Sequence, residues 1–483
     1  MSLLTGLLLA LIVLNTLGAI FTVLRSVRDI ATTWAWLLVL IFLPVIGFVI
    51  YLFVGRRLSA KKMQLIQAEY AKAIAAFVQL QKRANAHGRL LPEDQLTQSG
   101  RELINLFLNT ARAPVLTNSD VSIYVDGKSK FAALLADIAA AKDFIDVEYY
   151  TIYPDAIGTQ LRDLLVKKAK QGVKVRVVYD AWGSMGANAR WWRPLVQAGG
   201  AAEAYFSSRW LILDFRMNYR LHRKLVVIDD QIGYIGGFNV GDQYLSRSKK
   251  FGFWRDTHLR IKGDTVMALK IQFTMDWNAT VSQGRQLPYP TRPLASLANG
   301  SAKAMQIVAS GPDSNAQQIK AGYVRLITGA TKSVRIQTPY LIPDDTVFDA
   351  LMNAALAGID VQVMIPNMPD HPFIFRATQY YANALTRVGV KVFHYQNGFL
   401  HAKTMVVDDC LASVGSANMD IRSFKLNFEV NAFIYDPQIA GQLAQAFDAD
   451  LKHCVRVTPE TIAAQGWYLH FKQHFSRLLS PIL

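Results

Sequence analysis

The sequence predicts an α/β fold in which two similar subdomains form one pseudo-twofold unit, preceded by an N-terminal helical hairpin. Three observations carry this prediction. The motif His-x-Lys-x4-Asp occurs twice, a similar strand–helix–strand pattern precedes each copy, and the first 54 residues contain two long uncharged stretches. At 483 residues the chain has room for two or three domains and a sizeable core.

The two uncharged stretches cover residues 2–24 and 32–54, each 23 residues long. This length is enough to cross a bilayer with some tilt, so residues 1–57 are predicted to form two transmembrane helices. A signal peptide would need a basic start and a small-residue cleavage site, and neither is visible. Four basic residues lie between residues 56 and 62, against two in the connection between the stretches. The positive-inside rule therefore places the bulk of the chain on the cytoplasmic face.

Residues 58–119 are predicted to be a helical linker, because residues 58–86 lack Gly and Pro and are rich in Ala, Lys, Gln and Leu. The formal charge of +16 favours a polyanion, either nucleic acid or an anionic membrane surface. In a chain held at a bilayer, lipid headgroups are the nearer polyanion. The two cysteines, Cys410 and Cys454, provide neither a disulfide framework nor metal-binding spacing.

Two repeats are predicted after the linker, at residues 120–299 and 300–460. The apolar strand at residues 144–150 corresponds to residues 334–340, and the strand after Gly172 corresponds to the strand after Gly358. A helix is expected between the strands of each pair, which is typical of α/β units with mostly central strands. Two unrelated α/β domains would need several coincidences at matched offsets.

Each repeat contains one copy of the motif, followed by a glycine-led turn that ends in asparagine. The residues are His222, Lys224, Asp229 and Asn239 in the first copy, and His401, Lys403, Asp408 and Asn418 in the second. Positions i and i+2 of a strand share one face, so the histidine and lysine of each copy are expected to point the same way. The aspartates fall on the opposite face, where they are expected to brace Lys, Arg or backbone groups.

Imidazole, ammonium and amide groups together suit a phosphodiester. They supply a nucleophile or acid, a fixed positive charge and a neutral hydrogen-bond donor. A reacting histidine also needs a fixed tautomer, usually set by a carboxylate. The best candidates are Asp256 and Glu429, which lie 34 and 28 residues after the histidine of their own repeat. We expect each on the next strand of that repeat.

Two other segments are candidates for contact with lipid. Residues 205–219 are unusually aromatic for a loop. In the C-terminal segment, residues 461–483, apolar residues from Trp467 to Ile482 recur at helical spacing with Lys472 and Arg477 between them. This pattern fits an interfacial helix and an amphipathic helix packed on the core equally well.

At these residues the chain resembles the phospholipase D superfamily, in which two His-Lys-Asp motifs build one active site. Within it, the chain is most similar to bacterial cardiolipin synthases. The likeness covers nearly the whole chain and includes the double span, residues 218–224, Met-Asp-Trp-Asn at 275–278 and Ser-Gly-Pro-Asp at 310–313. The second turn, Gly-Ser-Ala-Asn, departs from the first, Gly-Gly-Phe-Asn.

The resemblance implies transfer of a phosphatidyl group between two phosphatidylglycerol molecules, giving cardiolipin and glycerol through a phosphohistidine. It implies a catalytic set of His222, Lys224, Asp229, His401, Lys403 and Asp408, with both lysines, Asn239 and Asn418 binding phosphate. By analogy His222 is the nucleophile and His401 the acid/base, although which histidine takes which role stays open.

The expected partners are phosphatidylglycerol and the anionic surface of a bacterial inner membrane, rather than nucleic acid. No metal or other cofactor is expected, and a homo-oligomer is left open. A hydrolytic phospholipase D and, more distantly, a nucleic-acid phosphodiesterase or a membrane scaffold are the alternatives. The motif alone does not choose transfer over hydrolysis.

Overall fold

The computed structural model describes residues 6, 13, 16–18, 20–21, 30–51, 61–92, 96–205, 218–290, 303–314 and 316–480. The chain forms two compact units. One unit comprises Met1–Ser59 and Phe206–Tyr219, and the other comprises Ala60–Tyr205 and Arg220–Leu483.

The described part of the first unit contains two consecutive helices, α1 (Ile30–Phe42) and α2 (Pro44–Ile50). Pro44 occupies the first turn of α2, where its missing N–H costs nothing. Among the described residues of the chain, no helix is both long and apolar enough to cross a membrane. Most of the predicted span 2–24 lies outside the described residues, as do residues 52–54 of the second span and residues 206–217 of the aromatic loop.

The second unit contains two α/β halves. The first-half strands are β1 (Asn118–Asp126), β2 (Phe144–Tyr149), β3 (Lys174–Asp180), β4 (Ala201–Tyr205), β6 (Lys224–Ile228), β7 (Ile232–Gly236) and β8 (Trp254–Gly263). The second-half strands are β9 (Met305–Ser310), β10 (Ser333–Gln337), β12 (Asp360–Pro366), β13 (Lys391–Tyr395), β15 (Thr404–Val407), β16 (Leu411–Gly415), β18 (Asn427–Ile434) and β19 (Cys454–Arg456).

The two halves have the same strand order. In the first half the order is β1-β8-β7-β6-β2-β3-β4, and in the second it is β9-β18-β16-β15-β10-β12-β13, extended by β19. The predicted α/β class with two similar subdomains is therefore confirmed.

Helices cover the sheets and connect their parallel strands, as right-handed α/β packing requires. Before the first sheet lie α3 (Lys61–Ala86) and α4 (Gln98–Thr110). Those of the first half are α5 (Gly127–Ala140), α6 (Ala156–Lys170), α7 (Arg193–Gln197) and α8 (Thr265–Thr280). Those of the second half are α9 (Gln318–Thr328), α10 (Asp345–Leu356), α11 (Pro372–Arg387), α12 (Ile421–Lys425), α13 (Pro437–Leu451), α14 (Pro459–Ala463) and α15 (Trp467–Leu478).

Each half has its own apolar core between sheet and helices. In the first half, Leu161 and Leu165 of α6 and Val177 of β3 are fully buried in one cluster. In the second, Leu326 of α9 and Val363 of β12 belong to the corresponding cluster. Burying such a side chain stabilises the folded state by about 2 kcal/mol, so the motif strands belong to stably packed sheets.

One short strand crosses from each half to the other. Strand β5 (Arg220–Leu221) pairs in parallel with β18 of the second half, and β14 (Phe399–Leu400) pairs in parallel with β8 of the first. A further small pair joins β11 (Leu341–Ile342) to β17 (Met419–Asp420). The crossing strands come directly before His222 and His401, so the exchange brings both histidines to the boundary between the halves.

The motif aspartates fix the turns at the far end of the motif strands. Asp229 and Asp408 both have positive φ, 53° and 52°, in tight turns that follow β6 and β15. Aspartate tolerates this left-handed conformation better than most residues. Each carboxylate accepts hydrogen bonds from three consecutive backbone N–H groups, those of residues 142–144 and 331–333 respectively, at 2.7–2.9 Å. The expectation that these aspartates brace backbone groups is confirmed.

We expect Asp408→Ala to lower the free energy of unfolding by about 2 kcal/mol, because three N–H groups lose their acceptor and alanine disfavours positive φ. Asp408→Asn, which keeps one carbonyl oxygen and tolerates the turn, should lose less. Urea unfolding measures both, with Asp349→Ala at an exposed aspartate of α10 as the control. A loss for Asp408→Ala no larger than for the control would contradict this role.

Candidate active site

The two histidines lie in equivalent breaks between short strands. His222 falls between β5 and β6, and its N–H donates to the carbonyl of Phe428 at 2.9 Å. His401 falls between β14 and β15, and its N–H donates to the carbonyl of Arg255 at 2.7 Å. The expected unbroken strand through each His-x-Lys pair is therefore wrong, because the backbone of each histidine bonds to the opposite half.

The carboxylates orient the histidines crosswise. The Nδ1 of His222 lies 2.9 Å from both carboxylate oxygens of Glu429, and the Nδ1 of His401 lies 2.6 Å from Asp256 Oδ2. Asp256 and Glu429 are the carboxylates that the sequence suggested, but the within-repeat pairing is wrong. They also lie on β8 and β18 and not on β7 and β16, the strands that come next after each motif strand. Each histidine lies beside the carboxylate of the other half because its crossing strand pairs with that carboxylate's strand.

Both carboxylates have further partners, which the sequence did not reveal. The Glu429 carboxylate accepts from Ser416 Oγ at 2.5 Å and from Asn427 Nδ2 at 3.1 Å. Gly237 occupies the position equivalent to Ser416. No larger residue fits there, since a Cβ would lie 2.0 Å from Asp256 Oδ1. This contact explains why the two turns differ: serine supports the glutamate, and glycine makes room for the aspartate.

Burial sets the protonation state of these pairs. Desolvation lowers the pKa of His222 and of His401 to about 4. Although burial opposes it, the charge of Lys403 and the contact with His401 hold the pKa of Asp256 below its ordinary value, and the contact with His222 does the same for the pKa of Glu429. At neutral pH a neutral imidazole therefore donates Nδ1–H to an ionised carboxylate. In the described part of the chain neither Nε2 has a hydrogen-bond partner, so its lone pair is available.

The motif lysines occupy matching positions beside the histidines. Lys224 and Lys403 are buried, and each Nζ donates to the carbonyl of its own motif histidine at 2.5 Å. Desolvation lowers their pKa values to about 7 and about 8. An ammonium group has three donors, so two remain for a ligand. A phosphodiester anion placed between the lysines would favour their charged forms.

The two motif asparagines are buried, and each lies three residues beyond the end of β7 or β16, the strands that pair with the motif strands. Asn239 accepts from Thr151 N–H at 3.2 Å, whereas the Nδ2 of Asn418 donates to Asp420 at 3.2 Å. In the described residues, Asn418 Oδ1 is buried without a partner. Each amide retains hydrogen-bonding capacity for a ligand.

Asp229 and Asp408 lie apart from these groups. Asp229 follows the last residue of β6, whereas Lys224 is the first residue of that strand, so the two are about 15 Å apart along an extended strand. Asp408 likewise follows the last residue of β15, and Lys403 immediately precedes the first residue of that strand. Placing these aspartates in the catalytic set is therefore not supported, because they hold the strands and do not touch the histidines.

A second layer of buried charge lies behind the motif strands, and the sequence analysis missed its role. In the first half Arg223 forms an ion pair with Asp276 of α8 and donates to the carbonyl of Glu429. Arg255 of β8, in the first half, pairs across the boundary with Asp450 of α13 in the second half at 2.7 Å. The available signal for this layer was Asp276, an acidic residue within the mostly apolar sequence of α8.

Glu148 and Gln337 occupy equivalent positions in this layer but differ in chemistry. Glu148 is opposite Leu225 and Gln337 is opposite Thr404, in each case the residue after the motif lysine. Gln337 donates to Asp450 at 2.7 Å. Among the described residues, both carboxylate oxygens of Glu148 are buried without a hydrogen-bond partner. Burial, and to a smaller extent the negative charge of nearby Asp276, raises the pKa of Glu148 well above its usual range. A protonated Glu148 is the neutral counterpart of Gln337.

We expect Glu148→Gln to stabilise the fold increasingly as the pH rises. Folded Glu148 keeps a proton that the unfolded chain releases above its ordinary pKa of 4.5, so the wild type loses stability as the pH rises beyond that value. Glutamine has no proton to lose and removes this dependence. The thermal unfolding midpoint at pH 5 and pH 8 measures the difference. The matched variant Gln337→Glu should introduce the same loss in the second half, and equal shifts at both pH values would contradict a protonated Glu148.

Comparison with known proteins identifies a family. A family model described as cardiolipin synthase, PLD-like domain, matches residues 134–276 and 323–451, and a phospholipase D-nuclease N-terminal model matches residues 8–56. The chain is 46% identical over 483 residues to a cardiolipin synthase of Listeria innocua, covering 100% of both chains. It is 47% identical over 471 residues to a cardiolipin synthase of Staphylococcus aureus strain Mu50, covering 98% of this chain and 95% of that one.

A solved structure shares the fold at much lower sequence identity. The phosphatidylserine synthase of Haemophilus influenzae Rd KW20 matches with a TM-score of 0.59 and 17% identity, over 79% of this chain and 100% of that one. The full-length identities and the two matched domains decide the assignment. The chain belongs to the cardiolipin synthase family, whose members carry phospholipase D-like domains.

Proposed function

We propose that this protein is a phosphatidyltransferase that converts two phosphatidylglycerol molecules into cardiolipin and glycerol. The observation that carries the proposal is the pair of buried His–carboxylate contacts, each beside a lysine and formed between the two halves. Relatives at 46–47% identity over almost the whole chain support this choice among phosphodiester reactions.

In the first step the Nε2 lone pair of His222 attacks the lipid phosphorus. The bond from phosphorus to the headgroup oxygen breaks, and His401 gives the departing glycerol a proton. The pKa of free His401 is about 4, so it must gain this proton when the anionic phosphodiester binds and favours the imidazolium. Asp256 then holds the charged ring in place. The product is a phosphatidyl group on His222 and free glycerol.

In the second step the now neutral His401 removes a proton from the primary hydroxyl of another phosphatidylglycerol. That oxygen attacks phosphorus, the bond from phosphorus to His222 breaks, and cardiolipin leaves. His222 returns to its neutral form, with Nδ1–H donated to Glu429. Each step balances in protons, and the sequence is reversible because a phosphodiester is exchanged for a phosphodiester.

We assign phosphate binding to Lys224, Lys403, Asn239 and Asn418. The non-bridging oxygens carry the negative charge that grows in the transition state. Donors already fixed in a buried site stabilise it without reorganisation. Binding a monoanion between lysines whose pKa values are about 7 and about 8 favours their charged forms, which supplies the positive charge at the moment it is needed.

The membrane setting explains why a lipid alcohol reacts before water. We place two transmembrane helices at about residues 2–24 and 32–54, and the catalytic unit on the cytoplasmic face of the cell membrane. The linker covers residues 58–119, the two repeats cover 120–299 and 300–460, and a C-terminal segment covers 461–483. The match of residues 8–56 to an N-terminal family model supports a distinct leading segment. A site held at the bilayer meets lipid hydroxyls at high local concentration and excludes part of the water.

Product analysis tests the proposed function. The full-length protein, reconstituted with phosphatidylglycerol labelled in both its glycerol headgroup and its acyl chains, should release one glycerol for each cardiolipin formed. His222→Ala and His401→Ala should each reduce the rate by about a thousandfold or more, whereas His87→Ala, at an exposed histidine, should not. Phosphatidic acid in place of cardiolipin would indicate a hydrolytic phospholipase D, and cleavage of DNA without lipid turnover would indicate a nuclease.

Phosphatidylglycerol labelled at its phosphorus identifies the nucleophile. Rapid quenching under alkaline conditions preserves phosphohistidine although it cleaves the acyl esters, and the phosphorus label should be recovered on the peptide that contains His222. Recovery on the peptide that contains His401 would exchange the two roles and leave the reaction unchanged. No labelled peptide under conditions of turnover would contradict the covalent route.

A further inference from the structure

The C-terminal helix α15 presents a continuous apolar face to solvent. Its exposed large side chains are Trp467, Tyr468, Phe471, Phe475 and Leu478. Trp467 is 79% exposed and Leu478 is 73% exposed, although both are among the most apolar side chains of the segment. Residues 467, 471, 475 and 478 share one face of a helix, and the rings of Phe471 and Phe475 lie nearly parallel with centroids 6.3 Å apart.

The opposite face of α15 is polar and holds the helix to the protein. Gln473 and Ser476 are its buried residues. The Nδ2 of Asn383 in α11 donates to Gln473 Oε1 at 3.2 Å, and the rings of Tyr380 and His474 lie 5.0 Å apart. An amphipathic helix on a soluble core has the reverse arrangement, with its apolar face inward. Of the two readings left open by the sequence, packing of the apolar face on the core is therefore wrong.

The charges around this face are of one sign. Helices α11 and α15 contain no Asp or Glu, and their lysine and arginine side chains are Arg376, Arg387, Lys472 and Arg477, with the histidines His470 and His474 also in α15. Lys472 Nζ lies 4.1 Å from the centroid of the Tyr468 ring, so a cation borders the aromatic face. Aromatic side chains flanked by Lys and Arg are typical of helices that lie in the interface of an anionic bilayer.

We propose that α15 lies flat on the bilayer, with its aromatic face among the lipid headgroups and Lys472 and Arg477 on lipid phosphates. The proposal rests on the proposed function in one respect, because the substrate phosphatidylglycerol is itself the anionic lipid that α15 would contact. A bilayer fits better than a second protein chain, since the face has aromatic residues and cations but no acidic residue for a salt bridge. This contact would hold the catalytic unit to the lipid surface through a second segment, in addition to any N-terminal anchor.

A fluorescent label tests the contact in the full-length protein. In a Cys410→Ser, Cys454→Ser background, an environment-sensitive dye is attached at Phe471→Cys or, as a matched control, at Leu356→Cys. Leu356 is an exposed apolar residue at the end of α10. In nanodiscs that contain phosphatidylglycerol, the emission at position 471 should shift to shorter wavelength and be quenched by lipids that carry a nitroxide, while position 356 should remain aqueous. Emission at 471 that matches 356 would overturn the proposal.

A second copy of the chain is the main competing occupant. It would give the same shift at position 471 in detergent without a bilayer, together with a dimeric mass and a loss of the shift on dilution. That outcome would also overturn the proposal. The shift should instead weaken when phosphatidylcholine replaces phosphatidylglycerol, because the basic border then loses its partners.

Kinetics separate this proposal from the proposed function. The triple variant Trp467→Ser, Phe471→Ser, Phe475→Ser should need a higher surface concentration of phosphatidylglycerol for half-maximal rate in bilayers. Its rate on short-chain phosphatidylglycerol dispersed in detergent should equal that of the wild type. If the triple variant and the wild type had equal kinetics in bilayers, the bilayer contact of α15 would be contradicted, and the proposed function would be unaffected. If the wild type made no cardiolipin in either system, the proposed function would fail while the labelling result would stand.

Discussion

The catalytic unit depends on a reciprocal exchange of two short strands between its halves. Arg220–Leu221 pairs with the strand that carries Glu429, and Phe399–Leu400 pairs with the strand that carries Asp256. Because each histidine follows its crossing strand directly, its backbone N–H and its Nδ1 both bond to the other half. Neither His–carboxylate pair exists within one half alone. Loss of contact between the halves would therefore disable both histidines together.

Electrostatics make this arrangement respond to its substrate. Two ionised carboxylates lie beside two neutral imidazoles, and burial brings the pKa values of Lys224 and Lys403 down towards neutrality. A phosphodiester contributes the negative charge that favours the protonated forms of these groups. The differences between the halves fit around the same plan: Gly237 makes room for Asp256, Ser416 supports Glu429, and Glu148 replaces Gln337.

The sequence predicted which residues form the site, but it did not predict which of them contact each other. The repeated motif predicted two α/β halves, and the expectation that Asp229 and Asp408 brace the backbone is confirmed. The pairing of Asp256 and Glu429 within their own repeats was wrong, because a two-residue crossing strand leaves no periodic signal. For α15, helical spacing is the same whether the apolar face points inward or outward, so the burial of Gln473 and Ser476 and the exposure of the aromatic side chains decided its orientation. Residues 2–24 lie mostly outside the described part of the chain, and the membrane hairpin stays a prediction.

Nitrogen NMR of the histidine side chains tests the crossed pairing most directly. In protein labelled with ¹⁵N at histidine, His222→Ala and His401→Ala assign the two ring systems. Glu429→Gln should then change the Nδ1 resonance and tautomer of His222 and leave His401 nearly unaffected, while Asp256→Asn should do the opposite. A change at His401 with Glu429→Gln, and at His222 with Asp256→Asn, would contradict the reciprocal exchange on which this account depends.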